Sequence, residues 1–291
     1  MSLRTILAPI SGGEASRGAA DMSCALARRF GAHVEGLHVR QDPGSMVIDF
    51  NAGMPASPEL FESLIAAANE TAETARTAFM EAVTRHKLPW EKAPPALNGK
   101  FLHIEASAEW RDETAPTSFY LSHRARLFDL VVVGRSDRVT EQPHSDMLET
   151  LLLEGGRPML IAPAKLSAPV GEKIVVAWNG SVEAARALTA ANPFLGAASK
   201  IVILTTDPTD EVEGCHVVRQ LGWHGIHAIA RHVARPKGVD IGDHLLETAR
   251  EENADLLVMG GYGHAPWREM LFGGATRAIF RLSLMPVLVA H

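Results

Sequence analysis

One strand–helix pattern is written twice along this chain, and a duplicated pattern obliges the chain to fold as two similar units. Residues 4–10 (RTILAPI) lead into Ser11-Gly12-Gly13, and residues 173–178 (KIVVAW) lead into Asn179-Gly180-Ser181. Ile6 aligns with Ile174, Ser11 with Asn179 and Gly12 with Gly180 at a single offset, and an Ala-rich helical stretch follows each turn. Further on, residues 129–134 (DLVVVG) match 255–260 (DLLVMG), both apolar runs closed by glycine, as buried strands are. Residues 157–163 (RPMLIAP) match 285–291 (MPVLVAH), each opened by a proline where the missing N–H does least harm.

Each half therefore reads strand, helix, strand, helix, strand, helix, strand. Residues 33–39 and 200–206 fill the second strand position. Residues 101–105 and 225–232 are expected in the third. Strands alternating with helices imply a parallel sheet with right-handed crossovers. The boundary falls near 164–172 (AKLSAPVGE), which has linker composition. The two domains are thus expected at 1–166 and 172–291. The first is longer by about 42 residues between its first and fourth strands. Much of the excess is 57–86, an Ala/Glu/Thr-rich helix with Ser57 as cap and Pro58 at the first helical position. Packing against the sheet or covering a site are both open to it.

Composition narrows the function classes. The 291 residues are 46% hydrophobic and carry a net charge of −6, which gives no electrostatic pull toward nucleic acid or an anionic membrane. There is no apolar run long enough for a membrane span and no signal-peptide pattern at the start, so a cytoplasmic location is expected. Cys24 and Cys215 form no CxxC pair and read as reduced thiols.

The chemistry gathers in residues 258–280 (VMGGYGHAPWREMLFGGATRAIF), which begin where a buried strand ends. Open α/β sheets bind ligands outside the carboxyl ends of their strands. Gly260, Gly261 and Gly263 permit close backbone approach. Gly273-Gly274-Ala275-Thr276 then enters a helix, where free N–H groups and the helix dipole attract phosphate. Neither the Walker pattern nor the dinucleotide fingerprint fits; Pro266 stands where the latter needs glycine.

The spacing Gly260-x-x-Gly263, nine residues, Gly273, together with the turn Trp178-Asn179-Gly180-Ser181, resembles the nucleotide signature of universal stress proteins. The resemblance covers almost the whole chain. It implies an α/β fold of two Rossmann-like parallel-sheet domains in tandem, forming an internal pseudo-dimer with the last strands of the halves paired. It implies ATP, or AMP or ADP, as ligand, with Mg²⁺ accompanying a triphosphate. By position, Ala177, Trp178, Asn179 and Gly180 would meet the nucleoside, and Thr205 or Thr206 would lie beside it. Gly260, Gly261, Gly263, Gly273, Gly274, Ala275 and Thr276 would hold phosphate, with His264 over the site. Two positions depart from the family: Asn179 replaces the usual Asp, and Gly274 replaces a Ser or Thr.

The first half departs further. Its loop is Gly134-Arg135-Ser136-Asp137, with a carboxylate where the second glycine belongs, and no phosphate-type cluster follows; Gly155-Gly156 reads as a helix stop. It reads as a degenerate site. Cys215, His216, His224, His227 and His232 cluster in one segment but match no zinc spacing, so no metal is assigned. Asp240, Asp243, Glu247, Glu251 and Glu252 read as the solvated face of a helix. No nucleophile elbow or dedicated catalytic base is written, so any ATP hydrolysis would be slow. A stress-response or regulatory role is expected. A nucleotide-free interaction module with an unknown protein partner, a phosphoryl-transfer enzyme and a homodimer stay open.

Overall fold

The structure is a computed structural model and describes residues 2–40, 58–94, 96–97, 100–101, 105–115, 117–135, 142–165, 169–208, 211–261 and 283–291. The first half contains strand β1 (Thr5–Pro9), helix α1 (Glu14–Phe30), β2 (His33–Arg40), α2 (Pro58–His86), and a short hairpin, β3 (Ala96–Leu97) and β4 (Lys100–Phe101). It continues with β5 (Ser107–Thr114), α3 (Thr117–Ala125), β6 (Leu130–Gly134), α4 (Gln142–Glu154) and β7 (Met159–Ala162). The second half contains β8 (Lys173–Ala177), α5 (Val182–Ala190), α6 (Asn192–Leu195), β9 (Lys200–Thr205) and α7 (Glu211–Gly222). It closes with β10 (Ile229–His232), α8 (Ile241–Glu251), β11 (Leu256–Gly260) and β12 (Val287–Ala290).

Ten strands form one sheet in the order β10-β9-β8-β11-β12-β7-β6-β1-β2-β5. Each half contributes the same parallel arrangement, with its first strand between the second and fourth. The halves meet where β12 runs antiparallel to β7, pairing Val287 with Ile161 and Val289 with Met159. The expected pairing of the last strands is therefore present. This seam is dry: Val287, Leu288 and Val289 are fully buried. One apolar layer covers the face under α1, α2, α5 and α7, and a second covers the face under α3, α4 and α8. Such a sandwich lets each continuous apolar strand bury both of its faces.

The duplicated Asp has a structural purpose in both copies. Asp129 accepts from the amides of Arg4 and Thr5 at 2.9 and 3.0 Å, fixing where β1 begins beside β6. Asp255 accepts from the amides of Gly171, Glu172 and Lys173 at 2.6 to 3.1 Å and does the same for β8. Burial raises the Asp255 carboxyl above its ordinary range, against these amide bonds, which favour the ionised form. The duplicated Gly closes both fourth strands because a helix passes over it. A Cβ on Gly134 would lie 1.8 Å from the Ala15 carbonyl oxygen, and one on Gly260 would lie 2.6 Å from the Ala184 nitrogen.

The third strand of the first half differs from expectation. Phe101 belongs to the short hairpin, and the sheet position is taken by Ser107–Thr114. This edge strand carries Glu109, Arg111, Asp112 and Glu113 and is held to its neighbour by charge. Arg40 donates to Asp112 at 2.8 Å, and Arg111 lies 3.1 Å from Glu35. Its counterpart β10 is shorter than expected, beginning at Ile229. Helix α2 begins at Pro58, with Ser57 outside the described residues, and Gly156 ends α4 at φ 62° as a helix stop. Among the described residues, no helix is long and apolar enough to cross a membrane.

Candidate functional site

The carboxyl ends of β8, β9 and β11 bring the first-strand turn, Thr205–Thr206 and Gly260–Gly261 to one edge of the second half. Gly263, His264, Gly273, Gly274, Ala275 and Thr276 lie outside the described residues. What the structure places is therefore the strand-end side of the expected site.

The turn after β8 is built for sharp reversal. Gly180 sits at φ 70°, which a side chain would strain. Asn179 Oδ1 accepts from the Ser181 amide at 3.3 Å, and Ser181 Oγ accepts from the Ala184 amide at 3.1 Å to cap α5. The amides of Asn179 and Gly180 have no protein partner among the described residues, and both residues are exposed. They lie just before the N-terminus of α5, where the helix dipole is positive.

The first half shows what a closed version of this turn looks like. Ser16, which aligns with Ala184, turns its Oγ back to accept from the amides of Ser11 and Gly12 at 2.8 and 3.1 Å. Those two amides correspond to Asn179 and Gly180. One hydroxyl therefore closes the first turn, and its replacement by Ala184 leaves the second open.

The other expected contacts fall in different places. Ala177 is half-buried and packs on the α8 side of the sheet. Trp178 points to the opposite side, where its Nε1 donates to Glu213 Oε2 at 3.3 Å and its ring lines a groove with Leu188, Val217 and His224. Thr205 is only 1% exposed; its hydroxyl lies 3.2 Å from His232 Nδ1 and its methyl packs toward Gly214. A nucleoside cannot reach that side chain, because the strand's alternation turns it under α7; Thr206 is the half-exposed member of the pair. Gly260 admits the start of α5. Gly261 donates its amide to the Ala290 carbonyl at 2.8 Å and packs beside Leu152 of the first half. Any free amides in the glycine loop thus come from beyond Gly261.

Glu213, which sequence reasoning passed over, reaches the turn: a Cβ on Gly180 would lie 2.8 Å from its Oε2. Only the packing of α7 over the turn reveals it. The histidine segment is dispersed: His216 and His224 line the Trp178 groove, and His232 engages Thr205. Among the described residues no three His, Cys, Asp or Glu side chains come together to hold a metal. The expected solvated acidic face has exceptions. Asp240 caps α8 through the Gly242 amide at 2.7 Å. Glu252 is buried, pairing with Lys200 at 2.6 Å and with Arg231.

Comparison with known proteins agrees with this architecture. Residues 227–291 match the universal stress protein family. No curated protein matches the sequence. A universal stress protein from Archaeoglobus fulgidus DSM 4304 aligns over 100% of this chain and 99% of its own, with a TM-score of 0.68 at 15% identity. A candidate universal stress protein from Pseudomonas aeruginosa UCBPP-PA14 aligns over 99% of this chain and 93% of its own, with a TM-score of 0.53 at 15% identity. At these identities the structural likeness speaks for the fold, an α/β tandem. The family match speaks for the last quarter of the chain.

Proposed function

We propose that the chain is a tandem universal stress protein of two domains, 1–166 and 172–291, which holds one adenine nucleotide in the second. The observation that carries this reading is the pair of open amides at Asn179 and Gly180, at the N-terminus of α5, where the first half has closed the same pair with Ser16. An open turn beside a helix N-terminus suits an anionic or richly hydrogen-bonding ligand. By resemblance to the family, the glycines at 263, 273 and 274 would supply the backbone of a phosphate cradle, with a hydroxyl from Thr276 and His264 beside it. Asn179 has no carboxylate for ribose hydroxyls. Glu213, adjacent to the same turn, provides one.

ATP, or AMP or ADP, fits this donor set, and Mg²⁺ would accompany a triphosphate to offset its charge. On this reading the chain senses or carries the nucleotide, in the cytoplasm, with any hydrolysis slow. Titration calorimetry with ATP tests this: one site per chain is expected, and Gly263→Asp should weaken it at least 100-fold by placing a carboxylate against phosphate. The far-ultraviolet circular dichroism of that variant should be unchanged. Unaltered affinity in a folded Gly263→Asp protein would remove the site.

A further inference from the structure

The first half carries its own cleft at the matching place on the sheet, and its chemistry is different. A cavity of about 330 Å³ opens at the ends of β1, β2 and β6, at the low end of the ~300–1,000 Å³ range of small-molecule sites. Its walls are largely apolar, including Ile10, Leu37, Val39, Leu121, Val133 and Met147. Helix α2, 29 residues long where its counterpart α7 has 12, roofs it with Leu64 and Ala68. The roof is anchored further along by Ala72, Ala75 and Phe79, which are buried against the sheet.

We infer that this cleft binds a neutral small molecule with an apolar body and one hydroxyl group, which donates a hydrogen bond to His38 Nε2. His38 is 5% exposed and lines the cavity. Its Nδ1 lies 2.7 Å from the Ile10 carbonyl oxygen, so the ring N–H donates there. In the neutral ring this tautomer makes Nε2 an acceptor, and Nε2 has no partner among the described residues. An acceptor left open to an apolar-walled cavity is a place for a ligand hydroxyl to donate.

Among the described residues, the other polar side chains in the wall are engaged within the protein. The amides of Ser11 and Gly12 are held by Ser16 Oγ. The Arg40 guanidinium is bound by Asp112 and Asn69. Thr71 donates its hydroxyl to the Ala67 carbonyl at 2.8 Å. With the Arg40 guanidinium paired and the Ser11 and Gly12 amides held by Ser16, the described part of the wall suits a neutral occupant.

The probes are 4-propylphenol and propylbenzene, titrated into the full-length protein by calorimetry and ligand-observed nuclear magnetic resonance. One phenol should bind per chain, roughly five- to tenfold tighter than the hydrocarbon, the value of one hydrogen bond. His38→Asn retains a donor at the δ position for the Ile10 carbonyl and deletes Nε2. It should cut the phenol's advantage below about twofold while leaving propylbenzene unchanged. Ala68→Trp should fill the cavity from the helix and abolish both. Excess ATP should displace neither probe, which separates this site from the nucleotide reading of the second half. The proposal is overturned if neither probe binds the wild-type protein, if Ala68→Trp binds normally, if the phenol's advantage survives in His38→Asn, or if ATP competes. Should His38→Asn fail to fold, the Ala68→Trp and ATP results decide the matter by themselves.

Discussion

Ser16 and Ala184 occupy the same place in the two halves, and a single oxygen atom separates a closed turn from an open one. That difference is testable by transplanting it. Ala184→Ser should let a hydroxyl fold back onto the amides of Asn179 and Gly180, as Ser16 does to Ser11 and Gly12. The internal bond then competes with the ligand, and ATP affinity should fall about tenfold, since each such bond is worth about 1 kcal/mol; affinity equal to wild type by calorimetry would show that the amides do not contact nucleotide. The two cysteines give a second prediction at this scale. Cys24 is fully buried on the inner face of α1, and burial pushes its thiol up to about 12, whereas Cys215 is exposed on α7. Only the thiolate attacks disulfide reagents. At pH 8 one thiol per native chain should react promptly and the second only in denaturant; two fast thiols would contradict the packing of α1.

Among the elements, the edge of the first half shows how charge replaces apolar area. Glu35 on β2 is 3% exposed and receives both Arg124 nitrogens, at 3.0 and 2.6 Å, with Arg111 also close. Removing one partner of a buried pair strands the other, at about 3–5 kcal/mol when both are fully enclosed. Arg124 is partly exposed, so Arg124→Ala should lower unfolding stability by about 2–3 kcal/mol in urea melts; a loss under 0.5 kcal/mol would mean water already screens Glu35. This network also explains what the sequence concealed. The central strands were legible because β6, β7, β11 and β12 are continuous apolar runs with fixed closing residues. Strand β5 reads SAEWRDET, whose charges obscure its pattern, and the apolar letters of the hairpin nearby drew the assignment away. At the site, residue identities place the first-strand turn and Gly260–Gly261 at the carboxyl edge of the sheet, where the structure has them. Alternation and helix packing, which no short motif encodes, bury Thr205, turn Trp178 toward α7 and bring Glu213 to the turn.

Across the whole molecule, one sheet runs through both halves by way of β7 and β12, so the two clefts are fixed on a single scaffold. The duplication has diverged at the clefts and not at the seam. The first half has a longer helix after its second strand, a Ser16-closed turn and an apolar cavity; the second has an open turn at the matching strand end. On the proposed reading these clefts are chemically unlike, and adenine nucleotide occupies the second alone. Native mass spectrometry of the protein incubated with excess ATP and Mg²⁺ counts the bound nucleotides. One nucleotide per chain is expected in the wild-type protein and none in Gly263→Asp. Two nucleotides per chain, or one that persists in the variant, would contradict it.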